Sequence, residues 1–291
     1  MLALTLAIAI DPPVMFRRGI APDTKPYPGI QREVAVDGLK ATLFVPHSWN
    51  RKLGTIRVHV HTVPWFAIQE HLDGGLAEPL LVMNFGEGST TYAKPFLDPE
   101  ALPRWLRATE EAIGELQPSP DPSQSWEGRI RGIQVSSFSA GYGAVREWMK
   151  QPKSRALIRR VVLADSMYGS FKPGEESKRT PDPAHVEIWA PFARDAMLGK
   201  TTFVITTSQI APNSYCGTFE IARGLVAHLG QTMTPAKSEA AAKDPEFPLI
   251  ERFDEDNLHV WNYGGTTTFA HTTHVRHIAE TWRALNAAGR P

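Results

Sequence analysis

The chain has 291 residues, room for two domains of ordinary size or one large α/β domain. Hydrophobic residues make up 42% and charged residues 21%, a globular composition, and no apolar run reaches the roughly 18 residues from which a membrane-spanning helix is read. Lys plus Arg and Asp plus Glu each number 31, so there is no basic excess to hold a phosphate backbone, and nucleic acid is not an expected partner. A single cysteine, Cys216, excludes an intramolecular disulfide, a zinc ribbon and a Cys-x-x-Cys redox motif, and leaves the redox compartment open.

In chain order, residues 2–10 are apolar, and Ala7-Ile8-Ala9 has the small-x-small form of a signal cleavage site, but no Lys or Arg precedes them. An export signal and a simple β-strand fit this segment about equally, with a slight lean to export and otherwise a cytoplasmic location. Pro12, Pro13, Pro22, Pro26 and Pro28 follow with little periodicity, so residues 1–33 read as an irregular surface lead-in. From Val34 onward, eight β-rich runs appear, at 34–36, 41–45, 55–63, 79–85, 130–136, 160–164, 201–207 and 258–263. The later ones are continuously apolar, as parallel strands covered on both faces are.

Helical patterns lie between them. Asp98 is placed to cap a helix with Pro99 at its first position and an apolar stripe through Leu102, Trp105, Leu106, Ile113 and Leu116. Further stripes run over 144–149, 186–197, 222–229 and 275–285. Alternating strands and helices predict one α/β domain over residues 34–291, a mostly parallel sheet of about eight strands with helices on both faces. The polar stretches 169–183 and 231–248 are read as long surface loops, the first as a mobile segment over the site.

The strongest local signal is Gly132-Ile-Gln-Val-Ser-Ser-Phe-Ser139-Ala-Gly-Tyr-Gly143, a buried strand running through a tight turn into a helix. In a nucleophile elbow the serine sits in strained backbone, and the residues two before and two after it must be small. Ser137 and Gly141 are small, although the usual first glycine is a serine. A plain Ser/Gly-rich turn fits the same residues.

Over residues 34–288 the order of elements resembles the α/β-hydrolase superfamily. Two antiparallel-type strands precede Ile56-Arg-Val-His-Val-His61-Thr-Val-Pro-Trp65; then come a helix, Leu80-Leu-Val-Met-Asn-Phe-Gly-Glu-Gly-Ser89, another helix and the Ser139 turn. The resemblance implies an oxyanion hole from the amides of Ala140 and of Thr62 or Val63. It also implies a triad in the order Ser, acid, His, with the histidine between the last strand and the last helix. Gly264-Gly-Thr-Thr-Thr-Phe-Ala-His271-Thr-Thr-His274-Val-Arg-His277 occupies that place. His271 is preferred because Thr272 or Thr273 would cap the helix after it, whereas His274 falls in the first helical turn and His277 inside the helix. The acid's usual place, after the strand ending near Thr207, is empty, since 208–219 contains no Asp or Glu. Asp165, one strand earlier, is then the candidate, with Glu220 as the fallback; a plain turn-capping role for Asp165 stays open.

Two rival constellations are visible. His59 and His61 share one face of a strand, and with His271 and His274 they offer nitrogen ligands for a metal-dependent hydrolase, or they are simply the polar face of that strand. Gly86-Glu-Gly-Ser-Thr has the look of a phosphate-cradling turn but lacks the lysine and spacing of one. The combined reading is a serine hydrolase that cleaves an acyl bond, a carboxylic ester by preference, in a small-molecule substrate, with no cofactor and no metal. Trp65, Phe138, Tyr142 and Tyr168 are the candidate pocket side chains. A noncatalytic binding protein of the same fold is the alternative. Oligomeric state leaves no mark in the sequence.

Overall fold

The computed structural model describes residues 10–50, 54–116, 126, 128–236 and 246–288. The possible signal segment therefore lies outside the described residues apart from Ile10, as does the middle of the 231–248 stretch. No helix among the described residues is long and apolar enough to cross a membrane. The chain divides into two compact units, residues 21–160 and residues 161–291 with 1–20.

The unit of residues 21–160 opens with a hairpin, β1 (Gly29–Val36) and β2 (Leu39–Pro46), paired in register from Gly29 with Pro46 to Val36 with Leu39. Its two-residue loop is Asp37-Gly38, both at positive φ (52° and 80°), the backbone that matches the twist of the flanking strands. β3 (Thr55–Val60), α1 (Pro64–Asp73), β4 (Leu80–Met83), α2 (Ser89–Ala93) and α3 (Ala101–Gly114) follow. β5 (Gly132–Phe138), α4 (Tyr142–Lys150) and α5 (Pro152–Leu157) complete the unit. β3 lies parallel to both β4 and β5, and β4 is antiparallel to β2. All four residues of β4 are buried, which is why its pattern is continuous instead of alternating. α3 starts later than Asp98 suggests: Glu100 stands at its N-cap, and the Asp98 carboxylate accepts the Glu100 amide at 2.9 Å.

β6 (Ile158–Ala164) leads into the second unit, followed by α6 (Pro183–Glu187), α7 (Ala190–Met197), β7 (Thr202–Thr207) and α8 (Thr218–His228). Then come β8 (Thr234–Pro235), β9 (Leu249–Glu255), β10 (Leu258–Tyr263), α9 (Thr268–Arg276) and α10 (Ile278–Ala288). β10 runs parallel to β7 and antiparallel to β9. β8 and β9 are additions to the eight expected strands. β9 escapes a sequence reading because Phe253 is its only buried residue. The expected helix over 186–197 is divided between α6 and α7, and the last helix is interrupted at His277 between α9 and α10.

The lead-in is less superficial than its prolines suggest. Met15 is buried and bridges Phe247, Tyr263 donates to the Pro13 carbonyl at 2.8 Å, and the Phe16 carbonyl lies 3.0 Å from His277 Nε2. The 169–183 stretch is likewise tied down. Gly169 and Cys216 form a bridge, Phe171 bridges Pro181, and Arg179 pairs with Glu220 while its guanidinium lies 5.0 Å over the Phe171 ring. The strand order is β1-β2-β4-β3-β5-β6-β7-β10-β9-β8, parallel from β4 and β3 onward along the pairs described, with an antiparallel hairpin at either edge.

Candidate active site

Ser139 follows the last residue of β5 and has φ of 47°, a left-handed conformation that a serine adopts only where its surroundings impose it. A 3-10 turn over Ser139–Gly141 then runs into α4. Gly141 explains the closeness of the turn: a Cβ there would stand 2.5 Å from the Val60 carbonyl oxygen and 3.1 Å from the His61 Cβ, so the turn lies directly on the end of β3. Gly143 is as crowded, with a Cβ 2.2 Å from the Ser89 carbonyl oxygen. Ser137, two before Ser139, is fully buried.

At that end of β3 the backbone turns sharply, with His61 at φ 70° and Val63 as the N-cap of α1. Val63 is the N-cap residue of α1 and Thr62 precedes it, while Ala140 lies in the 3-10 turn that leads into α4. His61 Nδ1 lies 2.8 Å from the Tyr92 hydroxyl, which also receives the Phe85 amide at 3.2 Å and lies 2.8 Å from the Gly86 carbonyl. Burial pushes the Tyr92 phenol up to about 12, so it stays a neutral hub joining the ends of β3 and β4. The His61 ring stacks on Phe138 at 6.0 Å.

His59 is engaged differently. Its Nδ1 is 2.8 Å from Ser136 Oγ and 3.2 Å from His71 Nε2, deep in the interior. Burial lowers its pKa to about 3, with the neighbouring His61 and Arg57 charges adding to the effect. The Ser136–His59 pair is sealed within the sheet and has no surface on which to meet a substrate. Among the described residues no three His, Cys, Asp or Glu side chains come together as a metal site.

In the other unit, Asp165 follows β6 at φ 45° and is fully buried. Its carboxylate accepts the Ser208 amide at 3.0 Å, the Ser208 hydroxyl at 2.6 Å, the Thr218 hydroxyl, and His271 Nδ1 at 2.7 Å. Burial alone would raise its pKa. The hydrogen bond from His271, the His274 and His271 charges and the Ser208 bond outweigh it and hold the carboxyl well below the usual range. Since an ionised carboxylate only accepts, the proton between the two residues sits on His271 Nδ1, and a neutral ring then has its lone pair on Nε2.

His271 is not in a loop. Thr267 caps α9 by accepting the Ala270 amide at 3.3 Å, five and six residues before the expected caps Thr272 and Thr273, so His271 stands in the first half of the helix. Its side chain is 17% exposed. His274 is buried with Nδ1 2.9 Å from Thr206 Oγ1, and burial lowers it to about 4. Glu220 is committed elsewhere: it receives the Gly217 amide at 2.6 Å as the capping box of α8 and holds Arg179. Ser208 and Thr218, which hold Asp165, have no sequence signature, although Ser208 occupies the place where the superfamily's acid was expected.

Of the aromatic candidates, Phe138 and Tyr142 flank Ser139, and the Tyr142 hydroxyl is 3.2 Å from Ser89 Oγ. Trp65 is half-buried in the first turn of α1, edge-on to Phe66. Tyr168 packs edge-on against Tyr215 at 5.7 Å, beside the Asp165 cluster in sequence.

The strand order, with its antiparallel first hairpin and with Ser139 turning sharply after β5, decides the architecture. The chain has the α/β-hydrolase fold. No family model and no curated protein matches the chain. It is similar to solved structures that include a thermostable esterase from Pseudomonas putida ECU1011, at 12% identity over 90% of this chain and 81% of that one, with a TM-score of 0.46. A hyperthermophilic esterase from the archaeon Pyrobaculum calidifontis is 12% identical over 91% and 86%, with a TM-score of 0.45. An alpha-beta serine hydrolase homologue from Coxiella burnetii is 9% identical over 89% and 98%, with a TM-score of 0.43. The α/β-hydrolase assignment rests on the strand order.

Proposed function

We infer that the protein is a serine hydrolase acting on the acyl bond of a small-molecule substrate, a carboxylic ester by preference, with residues 34–291 working as one catalytic domain. Ser139 is the nucleophile, His271 the general base and then acid, and Asp165 the residue that orients the imidazole. Ser139 Oγ adds to the acyl carbonyl as its proton passes to His271 Nε2. The amides of Ala140 and of Thr62 or Val63 take the oxyanion. Collapse expels the alcohol, which receives the proton from His271. Water, deprotonated by the same nitrogen, then releases the carboxylic acid from Ser139. Phe138, Tyr142, Trp65 and Tyr168 are proposed to face the acyl or alcohol portion.

The observation that carries this reading is the His271–Asp165 hydrogen bond at 2.7 Å, because it directs the imidazole proton to Nδ1 and leaves Nε2 basic, which a turn-capping aspartate has no reason to do. Support from the other unit is the positive φ of Ser139. An ester is favoured because its leaving group asks less of the general acid than an amine does. The test is labelling with a fluorophosphonate at neutral pH. Wild-type protein should be labelled at Ser139, and Ser139→Ala should lose both labelling and esterase turnover while melting as before. Folded wild-type protein that resists the reagent would identify a noncatalytic binding protein instead.

A further inference from the structure

A second polar cluster lies outside this chemistry. Arg57 and His59 on β3, His71 in the last turn of α1, Glu78 in the connection to β4 and Ser136 on β5 are all buried. Arg57 holds Glu78 with Nε 2.8 Å from Oε1, and its NH1 lies 3.2 Å from His71 Nδ1. His71 Nε2 is 3.1 Å from Ser136 Oγ, which is 2.8 Å from His59 Nδ1.

Counting protons fixes the direction of these bonds. A guanidinium only donates, so His71 Nδ1 accepts from Arg57 and the neutral ring carries its proton on Nε2. That proton faces Ser136 Oγ, and the serine hydroxyl in turn donates along its shorter contact to His59 Nδ1. The His59 proton is then on Nε2, which is buried with no hydrogen-bond partner among the described residues. Burial keeps both rings neutral, lowering His59 to about 3 and His71 well below its ordinary value. The relay therefore runs Arg57, His71, Ser136, His59 and stops. A chain of donors that ends inside the core does not carry protons to a reaction, and its place in the fold suggests another role.

We propose that this relay is a positioning device for the nucleophile turn: His71 and Ser136 lock the last turn of α1 to β5, three residues before Ser139, and so set the Thr62 and Val63 amides at the other end of α1 against the nucleophile. The proposal rests on the reading of Ser139 as nucleophile and of those amides as oxyanion donors. α1 has ten residues, a rod of about 15 Å, so fixing one end fixes the other. Apolar packing alone tolerates small sliding of a helix on a sheet, whereas directional bonds from two strands to one imidazole have a single geometry. The in-register pairing of His59 with Ser136 adds the end of β3, which carries Gly141's contact, to the same clamp.

Ser136→Ala removes the central hydroxyl and leaves both imidazoles in place. It should lower kcat for p-nitrophenyl acetate and the rate of fluorophosphonate labelling by roughly ten- to a hundred-fold, with KM within about two-fold, because misplacing a donor weakens the transition state more than the ground state. His71→Gln should restore function within a few-fold, since the amide offers an acceptor toward Arg57 and a donor toward Ser136; His71→Leu should not. If Ser136→Ala does not fold, Ser136→Cys, which is close in size and donates only weakly, should show the same fall. A merely structural cluster would lower the melting temperature of these variants and leave kcat and labelling of the folded fraction unchanged, and that result would overturn the proposal. Failure of wild-type Ser139 to label would instead remove the nucleophile assignment, and the relay's role with it.

Discussion

The turn at Ser139 and the cluster around Asp165 are built by opposite means. The turn depends on backbone: a serine at φ 47° and a glycine whose added Cβ would meet the Val60 carbonyl at 2.5 Å. The Asp165 cluster depends on side chains, with donors drawn from 43, 53 and 106 residues away in sequence. A backbone-built feature constrains which residues stand beside it and leaves a motif. A cluster of side chains gathered from distant segments constrains nothing nearby and leaves none.

Breaking the side-chain half should have the largest effect. Asp165→Asn and His271→Gln are each expected to lower kcat by about 10⁴-fold with KM little changed, since Asn no longer enforces the Nδ1 tautomer and Gln supplies no base. Steady-state kinetics with p-nitrophenyl acetate reads both. If Asp165 were only a turn cap, the Asn variant would be nearly silent, because Asn caps about as well as Asp.

Breaking the backbone half tests whether space, not helix propensity, rules at Gly141. An Ala in an exposed helical turn would ordinarily stabilise by about 1 kcal/mol over Gly. At Gly141 the contact with Val60 should reverse the sign and cost about 1–3 kcal/mol, with slower labelling of Ser139, as read by urea unfolding and fluorophosphonate kinetics. A stabilised Gly141→Ala protein would show that the turn yields easily.

The same contrast accounts for what the sequence discloses. The strands covered on both faces stand out as apolar runs, and Ser137 and Gly141 mark the turn before any contact is known. β9 does not stand out, because a strand with one buried residue, Phe253, resembles a polar loop. Thr272 and Thr273 suit an N-cap and would leave His271 in a loop, whereas the bond from the Ala270 amide to Thr267 starts the helix earlier. Asp165 is a candidate acid only through what the α/β-hydrolase resemblance implies, the place after β7 being empty, and its hydrogen-bond partners Ser208 and Thr218 leave no mark in the sequence. The His71 relay was invisible too, since His59 and His61 read as one polar face while the structure gives them separate partners, Ser136 and Tyr92.

A third effect, intermediate in size, concerns acid. His59, His71 and His274 are held neutral by burial, the first at about 3 and the last at about 4, whereas in the unfolded chain each protonates near 6.5. The unfolded state therefore binds more protons as the pH falls below about 6.5, and stability is lost from there downward. Each such histidine removes up to about 1.4 kcal/mol per pH unit within its window. Asp165, with its pKa depressed, stabilises above its unfolded value near 4 and is lost only as the pH falls toward its lower folded value, so it extends the decline without starting it. Urea midpoints should fall steadily from pH 6.5 to 4, and His274→Gln should flatten that slope; a level profile would mean these rings are charged in the folded protein.

The smallest expected effect is at Glu220, and it sharpens the comparison because Glu220 is the first carboxylate in sequence after the place where an acid was first sought. Its oxygens take the Gly217 amide and the Arg179 guanidinium, so its work is to start α8 and to hold down the 169–183 segment. Gln keeps the capping-box geometry, because its amide oxygen can accept the same N–H. What Glu220→Gln loses is the charge opposite Arg179, a pair in which the arginine side chain is 32% exposed, and a partly exposed ion pair contributes about 1 kcal/mol or less. Turnover should stay within about two-fold of wild type while limited proteolysis of the 169–183 segment speeds up modestly. A loss at Glu220→Gln comparable to that at Asp165→Asn would give both carboxylates a part in catalysis; a loss at Glu220 alone would move the acid to α8 and leave the His271–Asp165 bond a structural one.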